Sequence, residues 1–418
     1  MIMERTFMKT AGIIAEYNPF HNGHSYHIRE TRRITGADYI IVVMSGDFCQ
    51  RGIPAISDKY LRAEMALENG ADLVLELPVR FSTASAEFFA YGAIAILNGI
   101  GVTDALCFGS ECSNISALSE IADILLHEPD DFKTALKEHL KNGLSYPKAR
   151  ELAILSLPRF QEKKKGLSGL LSSPNNILAI EYLKALKKLG SPIRPYTILR
   201  RGAGYHDLGS DHMFSSAAGI RAQISRRDTA CLSVPESVSD LLKAHDQKTF
   251  PVFPDDFSDM LHYRLLLQKD SGFAQFQDSS DTLSDKIKKR LYDFESFSSF
   301  AEILKSKEVT HSRISRLLTH ILLDLKTKDL NQYMEAGGIG CVRILGFRED
   351  ASQLLTAMKK RSALTLLSRL SDADTVLSPS DQKMMKETVL SSHIYQAAVS
   401  GKFGYKFRNE FSRQFLKL

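Results

Sequence analysis

A chain of 418 residues, 44% hydrophobic and 25% charged, has the composition of a soluble globular protein and the length for two domains. Its net charge of +5 permits a polyanionic partner without requiring one, and no apolar stretch approaches the roughly 18–20 residues needed to span a bilayer. Five scattered cysteines (Cys49, Cys107, Cys112, Cys231, Cys341) with no CxxC pair argue against a disulfide framework and a Cys-based zinc site.

The N-terminal "MIMERTFMKTAGII" lacks a long apolar core with a small-residue cleavage site, so it reads as the approach to a first strand and the expected location is the cytoplasm. "AGIIAEY" (11–17), "YIIVVMSG" (39–46), "DLVLELP" (72–78) and "ALCFGS" (105–110) are short apolar runs that end in polar or glycine-rich turns. Helical patterns lie between them at about 23–35, 58–70, 84–99 and 113–126, and "PYTILR" (195–200) with a helix at 215–226 follows. Near-continuous apolar strands alternating with helices predict an α/β, Rossmann-like parallel sheet covered on both faces. Ligands of such sheets sit at the carboxyl ends of the strands. Those ends hold Asn18 to His24, Ser45-Gly46-Asp47, Glu76-Leu77-Pro78 and Gly109-Ser110-Glu111.

After about residue 230 the composition changes. "SDKIKKRLYDFESF", "THSRISRLLTHILLDLKTK" and "DASQLLTAMKKRSALTLLSRLSD" read as amphipathic helices with basic faces, interrupted by "GGIGC" (337–341). The expected division is therefore 1–230, nucleotide-binding, and 231–418, mostly α-helical and basic.

Chemistry concentrates in "EYNPFHNGH". His21 and His24 stand at i and i+3 where a strand gives way to a helix, and Gly23 lets the backbone approach a ligand. A helix starting near Gly23 would turn free N–H groups and its positive dipole end toward an anion over strand 1. Two imidazoles beside a polyphosphate can donate hydrogen bonds to charge developing on an α-phosphate, and Asn18 could orient the same group. A metal would want a third ligand such as an HExxH helix or a nearby Cys, and none is evident, so no metal site is expected. "QRG" with Asp58, Lys59 and Arg62 reads either as contacts to acetate, phosphate or RNA, or as a solvated helix start.

His21-Asn22-Gly23-His24 resembles the HxGH signature of the HIGH-motif nucleotidylyltransferases. "SSAAGIR" (215–221) is similar to their second signature through Ser215, Ser216, Ile220 and Arg221, with Ala217 where a hydroxyl often stands. More narrowly, "EYNPFHNGH", "VVMSGDFCQRGIPA", "DLVLELP", "FGSE", "SSPNNILAIEYL" and "RGAGYHD" together resemble the bacterial tRNA(Met) cytidine acetate ligase family.

That resemblance implies activation of acetate by ATP to acetyl-adenylate, with Mg2+. It implies acetyl transfer to the N4 amine of the wobble cytidine of elongator tRNA(Met). His21 and His24 would stabilise the α-phosphate. Ile14, Ala15, Glu16, Tyr17, Asn18, Pro19, Phe20, His21, Asn22, Gly23, His24, Ser25, Tyr26 and His27 would wrap the ATP. Gly109, Asn175 and Arg200 would complete its contacts, with Ser215, Ser216 and Arg221 on the triphosphate. Gly109, Asn175 and Arg200 have plainer readings as a turn glycine, a helix cap and a solvated strand end, and Arg201 competes with Arg200. In the helical half, Arg313, Arg316 and His320 share one helical face, and Lys286, Lys288, Lys289 and Arg290 form another basic cluster, as do Lys359, Lys360 and Arg361. Such clusters are solvated faces or a tRNA surface, with Arg313, Arg316, Lys288 and Lys289 the candidate contacts. Two other readings are a small-molecule adenylyltransferase and a non-catalytic RNA-binding protein on a nucleotide-binding scaffold. The large helical half weighs against the first and the intact HxGH against the second.

Overall fold

The computed structural model describes residues 8–144, 146–160, 170–171, 173–200, 215–228, 231–306 and 308–418. The apolar runs form β1 (Thr10–Ala15) and β2 (Tyr39–Ser45), followed by a small antiparallel hairpin, β3 (Phe48–Cys49) and β4 (Ile53–Pro54). Then come β5 (Leu73–Leu77), β6 (Ala105–Ser110) and β7 (Arg194–Leu199). These pair in parallel in the order β5-β2-β1-β6-β7, so the chain reverses direction at β1 and a crevice opens between the carboxyl ends of β1 and β6.

Residues of β2 alternate between two cores, which is why it reads as a continuous apolar run. Ile41 and Val43 join the helices Ala86–Gly99, Ile115–His127 and Pro174–Lys188 on one face. Ile40, Val42 and Met44 join Asn22–Thr35, Lys59–Glu68 and Ala217–Ser225 on the other. Each such side chain contributes about 1.5–3 kcal/mol by leaving water.

The second half differs from its expected form in one respect. It is largely helical, but "CVRILGF" is a buried strand, β8 (Cys341–Phe347), antiparallel to β5 in the same sheet. β9 (Thr365–Leu367) and β10 (Leu416–Lys417) pair with it in parallel, so strands from both sides of residue 230 share one sheet. The helices of this half bury their own core around Phe257, Leu261, Phe300, Ile314 and Leu318, which also takes in Phe48 and Val79 of the first half. No helix among the described residues is long and apolar enough to cross a membrane.

Candidate active site

The helix Asn22–Thr35 begins at the carboxyl end of β1, and its first turn is closed by the two histidines of HxGH. Gly23 N donates to His21 Nδ1 at 3.0 Å, and His21 N donates to His24 Nδ1 at 3.2 Å. The rings stack, with centroids 3.7 Å apart and planes 21° off parallel. A Cβ on Gly23 would sit 2.8 Å from His21 Cε1, so only glycine leaves room for this arrangement.

This changes the expected chemistry of the turn. The first-turn amides do not face a ligand: Gly23 N is bound by the His21 ring, and Asn22 N donates to Ser233 O at 3.0 Å. The donors offered to an anion are instead the imidazoles. A neutral ring whose Nδ1 accepts carries its proton on Nε2, so His21 and His24 each present an Nε2–H. Both rings are held neutral. Burial, and then the charge of Arg200, lower His21 to about 4. Burial and then His21, His27 and Arg200 push His24 well below its usual value. One turn on, His27 is lowered to about 4 by burial and Arg200, and its buried Nε2 has no hydrogen-bond partner among the described residues.

Arg200 stands at the end of β7, where its Nη1 donates to Asn175 Oδ1 at 3.1 Å. A Cβ on Gly109 would lie 3.0 Å from Arg200 Cγ, so this glycine, too, keeps space for its neighbour's side chain. Gly109, Asn175, Arg200 and the three histidines therefore lie close together near the switch in strand order. Arg201 lies outside the described residues. Glu111, not singled out from the sequence, accepts from Asn175 N and Nδ2 and from Asn176 N.

The second signature folds against the first. Ser216 caps the helix Ala217–Ser225, Ser215 Oγ accepts from Ser233 Oγ at 3.1 Å, and Arg221 Nη1 donates to Asn18 O at 2.6 Å. The Asn18 side chain is placed elsewhere than expected. Its Oδ1 accepts from Ile56 N at 2.8 Å and its Nδ2 donates to Cys49 Sγ at 3.4 Å, so the amide tethers the β3–β4 hairpin. Glu16 has a similar task, Oε1 accepting from Gln50 N at 2.6 Å.

Asp58, Lys59 and Arg62 are neither a solvated helix start nor ligand contacts. Asp58 caps the helix Lys59–Glu68. The fully buried Arg62 guanidinium donates to the carbonyls of Glu16, Ser45, Gly46 and Ser57, joining the ends of β1 and β2. Lys59 Nζ meets Glu76 at 2.7 Å and Glu410 at 3.0 Å inside the protein.

The basic face of the helix His311–Leu322 also turns inward. Arg316 forms two hydrogen bonds to the Asp278 carboxylate, Arg313 Nε donates to the Asp278 carbonyl, and the His320 ring is fully buried between Gln277 O and Thr83 O. Of the candidate RNA contacts, Lys289 is exposed at the end of the helix Asp281–Arg290, and Lys288 is half-buried. Arg313 and Arg316 turn inward because Asp278 holds them, a partner that no local periodicity reveals.

Residues 8–409 match the HIGH Nucleotidyl Transferase family. The tRNA(Met) cytidine acetate ligase of Thermoanaerobacter sp. (strain X514) is 41% identical over 394 residues, 94% of this chain and 96% of that protein. The tRNA(Met) cytidine acetate ligase of Acetivibrio thermocellus is 38% identical over 416 residues, 98% of this chain and 100% of that one. Among solved structures, Thermotoga maritima TmcAL in its apo form I superposes with a TM-score of 0.90 at 34% identity, covering 98% of this chain and 100% of that one. The same protein bound with alpha-thio ATP gives a TM-score of 0.88 at 34% identity and the same coverage.

Proposed function

This chain belongs to the tRNA(Met) cytidine acetate ligase family, an ATP-dependent enzyme family, and we propose that it joins acetate to tRNA through an acetyl-adenylate. In the first step an acetate oxygen attacks the α-phosphorus of ATP, the bond to the β-phosphate oxygen breaks, and pyrophosphate leaves. In the second, the N4 amine of the wobble cytidine of elongator tRNA(Met) attacks the acetyl carbon. AMP leaves and one N4 proton passes to solvent.

The single observation that carries this reading is the stacked pair of neutral imidazoles, both with Nδ1 occupied by backbone N–H groups, at the switch point of the sheet. Displacement at an α-phosphate needs no protein nucleophile. It needs donors, fixed in advance, where charge moves onto phosphate oxygens. His21 and His24 Nε2–H supply these, Arg200 adds a positive charge, and Asn175 offers an amide to ribose or base. Ser215, Ser216 and Arg221 suit the β- and γ-phosphates, because Arg221 is bound to the same loop that carries the histidines.

ATP enters as its magnesium complex. The ion would be carried on the phosphate oxygens. The helical half supplies the tRNA surface, with Lys288 and Lys289 as its candidate phosphate contacts, and the target cytidine leaves its stack to reach the adenylate. ATP and tRNA as substrates would be met in the cytoplasm.

The test of the first step is acetate-dependent exchange of labelled pyrophosphate into ATP, with and without magnesium. Exchange that needs acetate but no tRNA supports an acetyl-adenylate. Exchange indifferent to acetate removes it.

A further inference from the structure

We propose that Glu111 is a positioning residue for the nucleotide: its carboxylate holds Asn175, and through Asn175 holds Arg200, in the geometry that receives ATP. This rests on the reading of the crevice as an ATP site. Glu111 lies just beyond β6, across from the start of the helix Pro174–Lys188. Its Oε1 accepts from Asn175 Nδ2 at 2.6 Å and from Asn175 N at 3.2 Å, and its Oε2 accepts from Asn176 N at 2.8 Å. The clamp is reciprocal, since Asn176 Oδ1 accepts from Glu111 N at 3.0 Å and Cys112 N at 3.3 Å.

The carboxylate spends three of its roughly four acceptor directions on the first turn of one helix. What the clamp decides is the orientation of the Asn175 amide. With Nδ2 drawn to Glu111, the Oδ1 end must face the opposite way, and there it accepts from Arg200 Nη1 at 3.1 Å. Arg200 is otherwise an exposed side chain at a strand end, free to sample many rotamers. Fixing it beforehand lowers the ordering cost of binding an anion. A helix cap alone would account for the bonds from Asn175 N and Asn176 N but not for the one from Asn175 Nδ2, which sets the direction of the side-chain amide.

The experiment measures ATP affinity by calorimetry, and KM for ATP and for acetate, in wild type, Glu111→Ala, Glu111→Gln, Arg200→Ala and the double Glu111→Ala/Arg200→Ala. Glu111→Ala is expected to weaken ATP binding about tenfold, with KM for acetate unchanged. Glu111→Gln, which keeps an Oε1 acceptor for Asn175 Nδ2, should recover part of the loss. In the Arg200→Ala background, Glu111→Ala should change ATP affinity less than about twofold. Independent effects that multiply, or an Glu111→Ala protein with lowered Tm and unchanged ATP affinity, would overturn the proposal and leave the ATP reading standing. A wild-type protein that binds no ATP would overturn both.

Discussion

The C-terminal segment is expected to be held by a buried charge, and Glu410→Ala tests this. Glu410 Oε2 lies 2.5 Å from Arg343 Nη1 and 3.0 Å from Lys59 Nζ, and its side chain is 3% exposed. Without it, two buried cations share one carboxylate, Glu76, which is 2.7 Å from Lys59 but 3.6 Å from Arg343. Breaking a buried pair of this kind costs about 3–5 kcal/mol. A second route gives a similar figure: Lys59 and Arg343 outweigh burial and hold Glu410 at about 2 against an ordinary 4.5, which corresponds to about 3 kcal/mol at neutral pH. Because the folded value is lowered, this stabilisation is present above about 4.5 and is lost as pH falls through about 2. Urea denaturation of wild type and Glu410→Ala should thus differ by about 3 kcal/mol at pH 7 and by less than about half of that at pH 3. A difference under about 1 kcal/mol at pH 7, or one that does not change with pH, would refute the reasoning.

His24→Ala should lower acetate-dependent pyrophosphate release by about 100-fold or more, with a small change in Tm; unchanged release would remove the imidazoles from the mechanism. His21 and His27 sit at about 4, so both are neutral above that value and charge only below it. kcat/KM for ATP should therefore pass through pH 6.5 without an inflection and fall on the acid side near 4. In Arg200→Ala that acid limb should move up only partway toward 6.5, because burial is the larger cause. Arg316→Ala should cost about 2–4 kcal/mol of stability by releasing Asp278, read by urea denaturation. Lys289→Ala should leave stability unchanged but weaken tRNA binding and reduce its salt slope by about 1, read by filter binding across a salt series.

Strands and the HxGH turn were legible because they are local patterns. β1, β2, β5 and β6 are largely buried apolar runs, β7 is a half-buried edge strand, and each falls within a residue or two of its expected span. β8 was hidden because its apolar residues follow a glycine run among amphipathic helices, and its strand form comes from pairing with β5, far away in sequence. β10, two residues long, exists only through β8. The same limit governs side chains. The sequence shows that Asn18, Arg62 and Arg316 are polar, but not that Ile56 and Cys49, four backbone carbonyls and Asp278 await them. Glu111 sat in the quoted "FGSE", yet its value depends on Asn175 and Arg200 arriving from two other elements. Residue identity told where chemistry was stored; pairing told which groups remained free to perform it.

Acetyl transfer to tRNA is tested by incubating the protein with labelled acetate, ATP, magnesium and total bacterial tRNA, then digesting the RNA to nucleosides. Label is expected in N4-acetylcytidine, confined to tRNA(Met) and dependent on ATP. Label in a small nucleotide product with none in cytidine would contradict it.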